Sequence, residues 1–524
     1  LYDPSGAFVT SGSGFDVGAI TTTAAATGTY TVVVADGNST PDETGAYDLY
    51  FTLVPGANED GALPTGASVS HTLDLGDIDS YTFPANAGEG FLLRVTDFNG
   101  TALFPIIRLY DPSGAFVTSG SGANVGSIAT TAAATGTYTV VVADGNSTPS
   151  QTGDYVLNFA LAPGANEKGA LPNGGVVSAP LIVGDIDSFT FTANAGESYL
   201  LRIADVNGTT LFPQVNVYDP NGAFVTSGSG FDVGSIATTA GATGTYTVMV
   251  FDGNSTPDEA GDYDLYFVLA PGANEGGTLP NGGVVSDTID LGDLDSYTFT
   301  ARAGNNILLR VADVGATTLF PRILLYDPSG AFVTSGAGFD VGSIITTAGL
   351  TGTYTVVVLD GNSTPDETGD YDLHFVRTPG ANEGGSLENG VTRFDTIDLG
   401  DLDSYTFVGS VGQNAEIIVT DLGPGPIFPA VAVYRPDGTF ITSASGAVPA
   451  TILLPLSVDG LYTVVVLDGN STPSATGPYS LVLNGAGAVA VPISPLAVVL
   501  MALMLAATGT LVLRQQAARS RPAP

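Results

Sequence analysis

The chain contains no cysteine and no tryptophan, only two histidines, and 13 basic residues against 52 acidic ones. Without cysteine there are no disulfides, no thiolate metal sites and no thiol nucleophile, and compartment is left undecided. His71 and His374 fall at different places in the repeat described below. No Ser-His-Asp triad or histidine zinc site therefore recurs unit by unit, and both histidines read as exposed strand residues. A formal net charge of −39 repels nucleic-acid phosphates and anionic headgroups, and favours divalent cations or plain solubility in a salty exterior. Nucleic acid is thereby excluded as a partner. With 44% apolar residues the chain is not an acidic disordered tail either.

What is present is repetition. The Tyr-Asp-Pro tyrosines Tyr2, Tyr110, Tyr218 and Tyr326, with Tyr434 in the variant Tyr-Arg-Pro, stand 108 residues apart. Units of 20 to 50 residues share one core in a solenoid, whereas a unit near 100 residues can bury its own. The sequence thus predicts separate beads. The boundaries are 1–54 (the second half of a unit), 55–162, 163–270, 271–378 and 379–486, the last being the most divergent.

Within 271–378, the runs Ser296 to Thr300, Ile307 to Val311, Ile323 to Tyr326 and Thr353 to Leu359 are rich in Val, Ile, Tyr, Phe and Thr. They read as strands. Turn chemistry separates them at Ala303-Gly304-Asn305-Asn306, Asp327-Pro328-Ser329-Gly330, Thr351-Gly352 and Asp360-Gly361-Asn362. No stretch of the unit carries a helical period, so nothing supplies parallel crossovers. The fold expected is all-β, in tandem antiparallel sandwiches of jelly-roll or Greek-key type with about eight strands each. Alternation places Tyr354, Val356 and Val358 in the core, with Thr353, Thr355 and Val357 facing out or toward a neighbour.

Leu1 lies inside a repeat, so the sequence reads as a fragment whose first complete unit begins near Pro55. At the other end, after 487–495, Leu496 to Leu513 is an uncharged run, long enough as a helix (about 27 Å) to span a bilayer. Arg514, Arg519 and Arg521 in the tail 514–524 place that side in the cytoplasm and the repeats outside. Val491-Pro492-Ile493-Ser494-Pro495, the apolar run and the arginines together resemble the PEP-CTERM and IPTL-CTERM sorting tails of Gram-negative bacteria. The resemblance implies sorting to the cell envelope or surface, with a sorting protease as a partner. A plain membrane anchor is the alternative.

Each unit also resembles the bacterial pre-peptidase C-terminal (PPC) domain. The residues that carry this are Gly292 to Phe299, Ala303-Gly304, Leu308 to Val311, Leu325 to Gly330, Gly352 to Val356 and Gly369 to Tyr371. The resemblance implies a non-catalytic jelly roll appended to exported proteins, which in some members binds calcium and polymeric substrates. Two features of every complete unit then become candidate Ca2+ ligands. One is the acidic turn: Asp77 and Asp79, Asp185 and Asp187, Asp293 and Asp295, Asp401 and Asp403. The other is the linker pair: Asn58 and Glu59, Asn166 and Glu167, Asn274 and Glu275, Asn382 and Glu383. Calcium takes six to eight hard oxygens, and such a set supplies about half. Lys168 beside the second set points to weak affinity. The alternative is that Gly-Asp-x-Asp is only a turn whose carboxylates accept backbone N–H groups.

The loop Asp-Gly-Asn-Ser-Thr-Pro at Asp36, Asp144, Asp252, Asp360 and Asp468 reads as a surface hairpin loop. Nothing in the visible chain assembles a catalytic site. The sequence predicts an exported, envelope-anchored stalk for adhesion, matrix attachment or display, its partners being a membrane and an extracellular polymer or surface. Two alternatives stand beside it: the accessory C-terminal region of a secreted peptidase, and a surface-layer or filament subunit.

Overall fold

The computed structural model describes residues 1–98, 100, 103–315, 317–423, 427–446, 449–486 and, by backbone alone, 488–489. The proposed sorting motif and the membrane span 496–513 lie outside the described residues. Among those described there is no helix, hence none long and apolar enough to cross a membrane. The chain divides into two units. The first is Leu1–Pro280 with Val284–Ala303 and Leu309–Leu373, and the second holds the described residues from His374 on with Asn281–Gly283 and Gly304–Leu308.

In the first unit, residues 55–162 form β1 (Ala67–Leu73), β2 (Ile78–Ala85), β3 (Gly90–Asp97), β4 (Pro105–Tyr110), β5 (Phe116–Ser121), β6 (Val125–Thr131), β7 (Gly136–Asp144) and β8 (Gly153–Leu161). The sheets run β1-β8-β3-β6 and β2-β7-β4-β5, antiparallel throughout. The outer strands pair first, β1 with β8 and β2 with β7, then β3 with β6 and β4 with β5, alternating between sheets. That is a jelly roll. Residues 163–270 repeat the order, with a short parallel edge pair, Gly169–Ala170, on the strand Asp187–Ala193. In 271–373 the sheet formed by Asp295–Ala301, Gly352–Asp360, Pro321–Tyr326 and Phe332–Ala337 matches β2-β7-β4-β5.

Strand alternation fills the cores. Tyr138, Val140 and Val142 of β7 point inward beside Phe83, Phe91 and Phe159, whose rings lie 4.6–5.0 Å from that of Phe83. Each such side chain contributes about 1.5–3 kcal/mol on burial. The opposite face is also covered: Thr355 and Val357 are wholly buried, and Val357 belongs to an apolar cluster with Leu200 and Val268 of the preceding repeat. Of the two orientations the sequence left open for Thr355 and Val357, the structure has the one toward a neighbour. The peptides before Pro55, Pro163, Pro271 and Pro379, where one repeat passes into the next, are cis.

Residues 1–54 form no strand, only the bridges Tyr2–Thr31 and Tyr2–Phe8. Their run Gly28–Asp36 is identical to β7, yet Val32, Val33 and Val34 are 49%, 62% and 47% exposed where Val140, Val141 and Val142 are at most 5%. The cause is the partner strand. β7 is hydrogen-bonded between β2 and β4, and residues 1–54 contain no copy of β2.

The second unit contains the sandwich of 379–486. Its strands are Thr392–Ile397, Asp403–Gly409, Asn414–Asp421, Pro429–Tyr434, Phe440–Ser445, Ala450–Pro455, Gly460–Asp468 and Gly477–Asn484. They pair as in 55–162, with Glu388–Asn389 and Ala488–Val489 added in parallel at one edge. Its core is separate, built on Tyr405, Phe407, Tyr462 and Tyr479.

Candidate functional site

The linker after each cis proline runs alongside the start of β2 or its counterpart, and one serine fixes it there. The N–H groups of Glu59, Glu167, Glu275 and Glu383 donate to the hydroxyls of Ser80, Ser188, Ser296 and Ser404 at 2.9–3.1 Å. The first aspartate of each acidic turn accepts the N–H of the residue that follows it, at 2.7–2.9 Å. The second is held by a tyrosine 76 residues further on: Tyr155, Tyr263, Tyr371 and Tyr479 donate to Asp79, Asp187, Asp295 and Asp403.

This geometry brings three carboxylates together in three repeats. Ligand oxygens of Glu167, Asp185 and Asp187 lie within 4.8 Å of one another, as do those of Glu275, Asp293 and Asp295, and those of Glu383, Asp401 and Asp403. In 55–162 the group is instead Asp60, His71 and Asp79, without Glu59 and Asp77. Asn58, Asn166, Asn274 and Asn382 accept the hydroxyls of Thr82, Thr190, Thr298 and Thr406 at 2.8–3.1 Å, which engages the carbonyl oxygen offered to a cation.

The residue after the linker glutamate decides what each group contains. It is Asp60, Lys168, Gly276 and Gly384 in successive repeats. The Lys168 ammonium lies 3.1 Å from Asp187 and 3.3 Å from Glu167. Burial works against its charge, but the two carboxylates outweigh that and hold its pKa above the usual value. In 55–162, His71 Nδ1 is 3.2 Å from Asp60, and it stands where the later repeats have Ala179, Asp287 and Asp395.

Burial pushes the carboxyls of these groups upward. Burial first and Asp293 second raise Asp295 to about 8, and burial followed by Asp293 raises Glu275 to about 7. In the second unit, burial and Asp401 raise Asp403 to about 8 and Glu383 to about 7. Asp79, Asp185 and Asp293 rise to about 6, chiefly through burial. Carboxylates crowded at this distance either share protons or share a cation.

Two sequence expectations are corrected. His374 is not an exposed strand residue: it is 7% exposed, with Nδ1 3.3 Å from Asp401, because the sheet face it stands on is covered. The Asp-Gly-Asn loop is not simply a surface hairpin, since Asp252, Asp360 and Asp468 are each 1% exposed. Sequence reading also missed Asp60 and the tyrosine partners. The only trace of the latter is the recurring tyrosine of Gly153-Asp154-Tyr155, Gly261-Asp262-Tyr263 and Gly369-Asp370-Tyr371, too far along the chain to connect by spacing.

No family model matches the chain, and none of the curated proteins does. Among solved structures it is similar to the pre-peptidase C-terminal domain of a collagenase from Bacillus anthracis, at 19% identity and a TM-score of 0.16 over 19% of this chain and 92% of that one. It is also similar to the CUB1-EGF-CUB2 region of human MASP-1/3, at 10% identity and a TM-score of 0.13 over 39% of this chain and 94% of that one. A third similarity is to a triple jelly-roll protein of an archaeal virus, at 14% identity and a TM-score of 0.15 over 59% and 84%.

Proposed function

We propose that this chain is a non-catalytic, exported repeat protein of the cell envelope, an adhesion, matrix-binding or display stalk that takes calcium at Glu275, Asp293 and Asp295 and at Glu383, Asp401 and Asp403. The observation that carries the cation is Lys168. In the second repeat the chain's own ammonium sits among the same three carboxylates, whereas Gly276 and Gly384 put no side chain there. Three carboxylates supply up to six oxygens when bidentate, and water completes the shell of a hard divalent ion. Envelope anchoring rests on the apolar run 496–513 and the arginines after it.

Calcium titration of the full chain by calorimetry tests the cation. Saturable binding of two ions is expected, lost in the Asp295→Ala, Asp403→Ala double variant and increased to three in Lys168→Gly. Absence of saturable heat overturns the calcium reading.

A further inference from the structure

Three complete repeats carry an arginine at one position of β3 or its counterpart: Arg94, Arg202 and Arg310, only 3–6% exposed. In the first unit these side chains leave their own repeat. Arg94 Nη2 donates to the main-chain carbonyl of Asp252, 158 residues away, and its guanidinium lies 4.9 Å from the centre of the Phe251 ring. Arg202 donates to the carbonyl of Asp360 at 2.6 Å and to that of Asp293 at 3.4 Å. Burial lowers both guanidinium pKa values to about 10, which leaves them charged at neutral pH.

The receptor is the Asp-Gly-Asn loop, and its own aspartate builds it. The Asp252 carboxylate accepts the N–H groups of Asn254 and Glu259 at 3.0 and 3.1 Å, and Asp360 does the same with Asn362 and Glu367. The carboxylate is thus spent on closing the loop, and the main-chain carbonyl is left to meet the cation. An apolar seal surrounds the contact, with Leu92, Ala160 and Ala162 against Ile186, Met249 and Phe251. Leu200 and Val268 meet Leu294 and Val357 in the same way at the next junction. Asp144, whose loop has no arginine-bearing repeat before it in this chain, is only half-buried.

The repeat 379–486 departs from this pattern at three of the four positions of the donor face, Ala486 alone matching Ala162. Leu92, Arg94 and Ala160 become Glu416, Ile418 and Asn484, and Asn484 donates to Glu416 at 3.0 Å. A hydrogen-bonded polar pair replaces the apolar seal, as terminal repeats of arrays require.

We propose that the Asp-Gly-Asn loops at Asp252 and Asp360 are guanidinium receptors that join their repeats to the arginine-bearing repeat before each, and that 379–486 is the closing repeat, whose outer sheet face admits no further copy. The joint has one direction, arginine forward and loop carbonyl back.

A double-mutant cycle on the full chain, in chelator and in calcium, tests the joint. Arg202→Ala and Asp360→Ala should each lower the melting midpoint, and together no more than the larger single effect, in both media. Additive losses overturn the joint, and an effect confined to calcium reassigns it to the cation site. If Arg202→Ala does not fold, Arg202→Met keeps the volume without the donors. It should speed proteolytic cleavage between Ala270 and Glu275 with the strand circular dichroism unchanged, and wild-type protection there overturns the joint. Closure is tested by the triple variant Glu416→Leu, Ile418→Arg, Asn484→Ala, which gives the last repeat a donor face able to reach the Asp144 loop of a second copy. The variant should self-associate in sedimentation velocity as concentration rises while the parent does not. Parent-like sedimentation overturns closure.

Discussion

At the residue scale, the unusual groups are carboxylates that the fold buries together. Asp295 and Asp403 titrate near 8 in the folded chain, against 3.8 for a free aspartate. The sign follows from linkage. The unfolded chain gives up these protons first, so stability is greatest below about pH 4 from these groups and falls as pH rises through 8. In chelator, the melting midpoint is therefore expected to fall between pH 5 and 8.5, and calcium is expected to flatten that slope; scanning calorimetry at fixed ionic strength checks it. Asp295→Asn should remove part of the slope in chelator and one calcium site with it. Tyr371→Phe should cost about 1–3 kcal/mol in urea unfolding, because it strips the buried Asp295 of its hydroxyl donor, which lies at 2.7 Å. The acidic residues were legible in the sequence as a recurrent pattern. Tyr371 was not, because a contact across 76 residues leaves no local trace.

At the element scale, the same nine residues behave in two ways. Gly136–Asp144 is the central strand of a sheet, while the identical Gly28–Asp36 forms no strand and exposes its valines. β-propensity describes a side chain that fits a pleated, half-buried surface, and it acts only when neighbouring strands supply that surface. Amide hydrogen exchange is expected to protect Val140, Val141 and Val142 strongly and to leave Val32, Val33 and Val34 exchanging fast. Equal protection would mean that residues 1–54 find another partner strand. Strand positions and their inward faces were readable because the alternation of Tyr354, Val356 and Val358 has a period of two. That Val357 would be buried by a neighbouring repeat could be stated only as one of two options, since outward residues face water or protein alike.

At the scale of the whole molecule, the proposed surface presentation rests on the terminal apolar run and the arginines. Antibody labelling of intact cells is expected for the full chain, and the label should move to the medium when the chain stops at Ala490. Labelling that persists in the shortened chain would place the anchor elsewhere.

The sequence by itself determined the 108-residue period, the all-β class, the turn positions and the recurrent acids, because each of these is written in local spacing and composition. Only the tertiary structure decided that Lys168 lies among Glu167 and Asp187, that the asparagines turn to threonines, and that Arg94 and Arg202 reach into the following repeat. The physical reason is the same in each case. A side chain's partner is set by which segments the jelly roll brings side by side, and the partners Asp187, Thr190, Asp252 and Asp360 lie 19 to 158 residues further along the chain.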